Sequence, residues 1–116
     1  MGKVGRFVTD PRAGAYCQIT LDSGDKIMVS HDKGGFQGGS LAITQVKWMG
    51  LGSGETLFTC DLDGPAGKTA LARLTKGVEP GSAHATPLYA FVDHVKDCRD
   101  LAHVKTKCAA IPSLPE

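Results

Sequence analysis

Residues 23–48 read SGDKIMVSHDKGGFQGGSLAITQVKW. Gly24-Asp25 makes a tight turn, and the chain after it alternates: Ile27 and Val29 point one way, Lys26 and Met28 the other. A loop with Gly34, Gly35, Gly38 and Gly39 follows, and then a second apolar run from Leu41 through Ile43 to Trp48. Strand, glycine loop, strand is the pattern of a β-hairpin. Just upstream, Ala15 to Leu21 alternates as well, with Cys17, Ile19 and Leu21 on one side. The turn Asp22-Ser23-Gly24-Asp25 joins it to Lys26–Ser30. This predicts an antiparallel pair with Ile19, Leu21, Ile27 and Val29 on a shared core face.

Outward from this hairpin the same grammar continues. Lys3 to Thr9 reads as a first strand, ended by Asp10-Pro11 and Gly14. In the Leu41–Trp48 run, Val46 and Trp48 fall on the face opposite Leu41 and Ile43. A bulge near Thr44–Gln45 would bring both pairs inward and curl the sheet. Gly50, Gly52 and Gly54 read as a mobile turn. Glu55 to Leu62 is the next strand, with Phe58, Cys60 and Leu62 inward, and 63–67 is a turn. Thr69 to Leu74 fits either a strand (Ala70, Ala72, Leu74) or a helical face (Ala70, Leu71, Leu74). The strand reading is preferred because it completes a third hairpin. Residues 76–85 read as a loop. Thr86-Pro87 then opens a helical period through Leu88, Phe91, Val92, Val95, Cys98, Leu101 and Ala102, predicting one helix from Pro87 to about Lys105. The expected fold is mainly β. It is a small antiparallel SH3-like or OB-like barrel of five to six strands with one C-terminal helix, a single domain over 1–110, and a frayed tail over 111–116.

Composition excludes more than it identifies. The chain has 116 residues, enough for one ordinary core, with 13 Lys and Arg against 12 Asp and Glu. That balance gives no bulk signal for nucleic acid or an anionic membrane. No apolar run approaches the ~20 residues of a membrane span. The first residues, MGKVGRFVTD, lack the apolar core of an export signal, so the expected setting is the cytoplasm. Cys17, Cys60, Cys98 and Cys108 form no C-x-x-C and are read as reduced thiols. His94 and Cys98 lie four apart on the predicted helix, but His103 and Cys108 drift around it and do not converge on them. Structural zinc takes four converging ligands, so the reading is no metal and no cofactor.

Three strings resemble known motifs. Leu57 to Gly64, an apolar strand ending in D-x-D-G, resembles the first motif of haloacid-dehalogenase-type phosphatases. That resemblance implies Asp61 as nucleophile and Asp63 as general acid. The alternating strands and helices that this family's fold needs are not legible in residues 65–116. Gly64 to Thr69, GPAGKT, resembles a P-loop, which implies backbone N–H groups around phosphate with Lys68 and Thr69 at the terminal phosphate and Mg²⁺. Leu62 stands where that pattern has its first glycine. Gly24-Asp25-x-Ile27-x-Val29, with Gly39-x-Leu41 beyond the loop, is similar to the KOW-type pattern of small SH3-like barrels that contact RNA or protein. Asp32 and Phe36 depart from its loop glycines.

The functional expectation is a non-catalytic binding module for an unidentified protein or RNA partner. Its site would be the glycine-rich loop, with His31, Lys33, Phe36 and Gln37. One alternative is a phosphate-handling enzyme or nucleotide binder using Asp61, Asp63, Lys68 and Thr69. Another is a structural subunit that associates through a sheet edge or the helix.

Overall fold

The computed structural model describes residues 3–10, 14–32, 39–47 and 54–115. Five strands form one antiparallel sheet in chain order: β1 (Lys3–Asp10), β2 (Gly14–Thr20), β3 (Lys26–Asp32), β4 (Ser40–Val46) and β5 (Thr56–Asp61). Three helices follow: α1 (Pro65–Leu74), α2 (Pro87–Val95) and α3 (Leu101–Ala109), with 3-10 turns at Ala83–Ala85 and Ile111–Ser113.

The β2–β3 hairpin has the expected register, with Cys17 opposite Val29 and Ile19 opposite Ile27. Its turn closes through Leu21 N–H to the Asp25 carbonyl at 2.8 Å and Gly24 N–H to the Leu21 carbonyl at 2.9 Å. Gly24 takes a φ of +91°, which a side chain would oppose. The pairing continues Val29 to Ile43 and Ile43 to Phe58. One row, Cys17–Val29–Ile43–Phe58, therefore crosses four strands on one face. Cys17, Ile19, Ile27, Val29 and Ile43 are fully buried.

Among the described residues the sheet is not closed into a barrel. Its order runs from β1 to β5, and the segment that would have added a sixth strand is helical. Residues 69–74 belong to α1, which corrects the strand reading. Gly64 sits at the N-cap with Pro65 at the first helical position, where proline costs no hydrogen bond. Ala66, Lys68, Ala70, Leu71, Ala72 and Arg73 are all strong helix formers. The register shifts between Val4 and Phe7 in the β1–β2 pair, and the irregularity expected in β4 lies one step from its expected place. The β4 strand pairs with β3 without interruption, while the register against β5 shifts between Ile43 and Thr44, leaving Leu57 as the extra residue. Val46 is half-buried, and Trp48 lies outside the described residues.

The helix predicted over 87–105 is two helices. The α2 helix stops at Val95 because the chain turns to meet the β2–β3 hairpin, where Ser23 N–H donates to the Arg99 carbonyl at 2.9 Å. Asp100 then caps α3, its carboxylate accepting from His103 N–H at 2.8 Å. The apolar stripe of α2 covers the sheet, with Phe91 and Val95 fully buried and Phe91 tilted against Phe58 at 5.7 Å between ring centres. Ile111–Ser113 form a 3-10 turn. Ile111 is 3% exposed within the core, and Arg73 of α1 donates to the Pro112 carbonyl. No helix among the described residues is long and apolar enough to cross a membrane.

Gly67 shows how closely α1 packs on the end of β5. A Cβ there would lie 2.0 Å from the Asp61 carbonyl oxygen and 2.7 Å from Leu62 Cα. Gly67→Ala should lower stability by about 1–3 kcal/mol in chemical denaturation, despite gaining roughly 0.8–1 kcal/mol in helix propensity. A Gly67→Ala protein as stable as the parent would mean that α1 is free to shift. Ile111→Ala should cost ~2–5 kcal/mol if the C-terminal turn is core, and an unchanged unfolding midpoint would return it to a frayed tail.

Candidate functional site

Of the loop site expected from sequence, His31 is among the described residues. Lys33, Phe36 and Gln37 lie outside the described residues. His31 is a half-buried residue of β3, paired with Ala15 on one side and Leu41 on the other. It shares the helix-covered face with Ile27 and Val29, because strand residues two apart point the same way. There it lines a groove of about 340 Å³ with Phe7, Leu88 and Tyr89. Phe7 and Tyr89 stack at 4.0 Å and pin β1 to α2. His84 sits edge-on to Tyr89 and pairs with Asp93 at 2.6 Å.

Asp61, Asp63, Lys68 and Thr69 lie along the β5–α1 junction. Asp61 and Asp63 lie on the three-residue link and its preceding strand end, and α1 begins directly after it. Asp61 Oδ1 accepts from Asp63 N–H at 3.0 Å, and Asp63 Oδ1 accepts from Gly39 N–H at 3.3 Å. Both carboxylates thus accept backbone N–H groups around the link that precedes α1. Lys68 and Thr69 are exposed beyond the first turn of that helix. Gly67, which a phosphate loop would use to approach ligand, is spent on the contact with β5.

The feature that sequence reasoning missed is a groove of about 510 Å³ beside this junction. One wall is β5, from Phe58 to Asp61. A second is the start of α1, through Pro65, Ala66 and Ala70. The third is the end of α3 and its 3-10 turn, with Cys108, Ile111 and Pro112. Asp61 is the one charged residue in the lining. The small residues of α1 leave this space, and the alanines at 66 and 70 were its only trace in the sequence.

Two thiols face this groove. Burial pushes the Cys108 thiol up to about 12, helped by the neighbouring Cys98. Burial, with the Asp61 charge second, also raises Cys60. Both are therefore protonated near neutrality. All four cysteines are free thiols. Among the described residues no three His, Cys, Asp or Glu side chains are grouped to hold a metal ion. His94 and Cys98 do not act together. His94 Nε2 donates to the Lys107 carbonyl at 2.8 Å, which ties α2 to α3, while Cys98 is fully buried. No family model, no curated protein and no solved structure matches this chain.

Burial lowers the pKa of His94 more than its carbonyl contact raises it. A histidine depressed in the folded state binds its proton more readily when unfolded. Stability is then lost as pH falls below about 6.5, the unfolded value, toward the folded one. The melting temperature should drop between pH 7.5 and 5.5, and His94→Gln should reduce that drop. An equal drop in both proteins would assign the acid sensitivity to other groups.

Proposed function

We propose that this chain is a non-catalytic binding module whose ligand seat is the groove between β5, α1 and the end of α3. The observation that carries this reading is the groove's chemistry. It is a concave space of about 510 Å³, within the range of small-molecule sites, and its walls are apolar. Its two thiols are held protonated by burial, so it offers shape and apolar surface rather than a reactive group. The occupant is a small, mainly apolar molecule. A cytoplasmic setting belongs to the same proposal, and the free thiols support it.

The phosphate-handling reading has less support, because Asp61 and Asp63 serve the turn and place negative charge where phosphate would sit. The protein or RNA partner expected at the glycine-rich loop rests, among described residues, on His31 alone. The open sheet does not favour an SH3-like partner mode, since it lacks the closed barrel.

The test is a panel of uncharged alkanols and phenols, read by thermal shift and by amide shifts in two-dimensional NMR. A ligand at ten times its Kd should stabilise the folded state by about 1.4 kcal/mol. Amide shifts should cluster at 58–70 and 108–112. Ala66→Trp places a large side chain over the groove from an exposed helical position, and should abolish both effects while leaving the circular dichroism spectrum unchanged. If no compound binds, or if binding persists in Ala66→Trp, the groove is not the seat.

A further inference from the structure

We infer that the sheet face turned away from the helices is a docking surface for a second copy of this chain, set end for end on the first. This face is separate from the groove, whose helical walls lie on the other side of the sheet. Strand pairing fixes its residues, because directly opposed side chains point the same way. Cys17, Ile19, Val29 and Ile43 face the helices, so their strand neighbours face away. At the centre, Tyr16, Ser30 and Ala42 form one row, and Gln18, Met28 and Thr44 form the next. All six are uncharged. Thr44 is buried and the other five are half-buried. An uncharged centre that includes Tyr and Met matches the core of a protein interface.

The charges around this centre form a pattern that a second copy matches. Lys3 pairs with Thr20 and Thr20 with Lys26, so one end row is basic. Arg6, in the bulge opposite Gln18, adds to that half. At the other end Asp32 pairs with Ser40 and Ser40 with Asp61. Asp32 has other interactions, while Asp61 accepts from the neutral Asp63 N–H at 3.0 Å, which leaves its charge in place. In the turn beyond the basic row, Asp25 opposes buried Leu21 on the helix side and accepts from Ser23 Oγ at 2.8 Å. Asp22 in that turn has other interactions, and Arg12 and Lys33, next to the acidic end in sequence, lie outside the described residues. From Lys26 to Asp32 the end rows are about 20 Å apart, well beyond the Debye length of about 8 Å, so they do not neutralise each other within one copy. A two-fold axis running across the strands, through the middle of β3, lays Lys26 on the partner's acidic end and uncharged row on uncharged row. An axis along the strands would set basic end on basic end. A nucleic acid would meet the acidic row, and Tyr16 alone offers it an aromatic ring at the centre. Five strands of about seven residues outline roughly 24 by 24 Å. Two copies would therefore bury on the order of 1,100 Å², the low end for a specific interface.

The test is sedimentation velocity on the parent chain from about 10 µM to 1 mM, the range suited to an interface this small, with amide shifts followed on dilution. The sedimentation coefficient should rise with concentration toward that of a dimer, and the shifts should gather at 16–18, 28–30 and 42–44. Met28→Lys brings a charge into the centre of the face and should hold the chain monomeric with its circular dichroism spectrum unchanged. Gln18→Lys takes its place if Met28→Lys unfolds. Lys26→Glu should weaken the dimer about three- to ten-fold, as the loss of two symmetry-related exposed charge pairs would, and about 0.5 M salt should shrink that difference. A parent chain that stays monomeric throughout, or a folded centre variant that dimerises as the parent does, overturns the second copy as occupant. A dimer tightened by Lys26→Glu has its axis along the strands and overturns the end-for-end arrangement. Face amides that respond to a single-stranded RNA oligomer while the parent stays monomeric give the face to nucleic acid instead.

Discussion

The structure depends on burying one face of an open sheet. The row Cys17–Val29–Ile43–Phe58, flanked by Ile19, Ile27 and Leu41, is an apolar surface that no strand closure protects. Each of these side chains is worth about 1.5–3 kcal/mol when fully withdrawn from water, so the sheet holds only if something covers it. Phe91, at the centre of α2 and fully buried, provides the cover and meets Phe58 at the far end of the row. The dependence is mutual. A helix of nine residues such as α2 is marginal alone in water, and its five buried side chains are stabilised by packing against the strands and the neighbouring helices.

The placement of α3 follows from a single break in the chain. Residues 96–100 leave the helical path because the Arg99 carbonyl accepts from Ser23 N–H at the tip of the β2–β3 hairpin. The carboxylate of Asp100 then restarts the helix in a new direction. That direction carries α3 over β5, where Lys105 pairs with Glu55 at 2.9 Å. The link from His94 to the Lys107 carbonyl holds the two helices together after the break. Had the helix run straight on, Cys108 and Ile111 would not have reached the end of β5.

The groove arises because α1 and α3 approach β5 from different sides with small side chains between them. Gly67 and Ala70 let α1 sit tightly on the strand end, while Ala66 leaves the mouth open. The groove is also joined to the glycine-rich segment. Leu62 N–H donates to the Gly39 carbonyl at 2.9 Å, and the Asp63 carboxylate accepts from Gly39 N–H. Gly39 is thus held to the link between β5 and α1 by two hydrogen bonds.

Period-two alternation alone was enough to specify β1 to β5, their antiparallel order and most of their core face, because each hairpin is local and its turn chemistry is written between its strands. Cys17, Ile19, Ile27 and Val29 were legible for that reason, and so was the apolar stripe of α2. What lay beyond sequence reading depends on contacts between distant segments. Thr69–Leu74 satisfied both periods, and Pro65 at the first helical position, the helix formers after it and the packing of Gly67 on the end of β5 together decided for helix. The division of the C-terminal helix followed from a hydrogen bond to Ser23, far away in the chain, while the periodicity of Leu88 to Ala102 ran smoothly across the break. His31 read as a loop residue but is paired between Ala15 and Leu41. The groove had no motif at all. Its walls come from three separate stretches, and an apolar cleft is a property of how surfaces meet, which no local pattern of residues encodes.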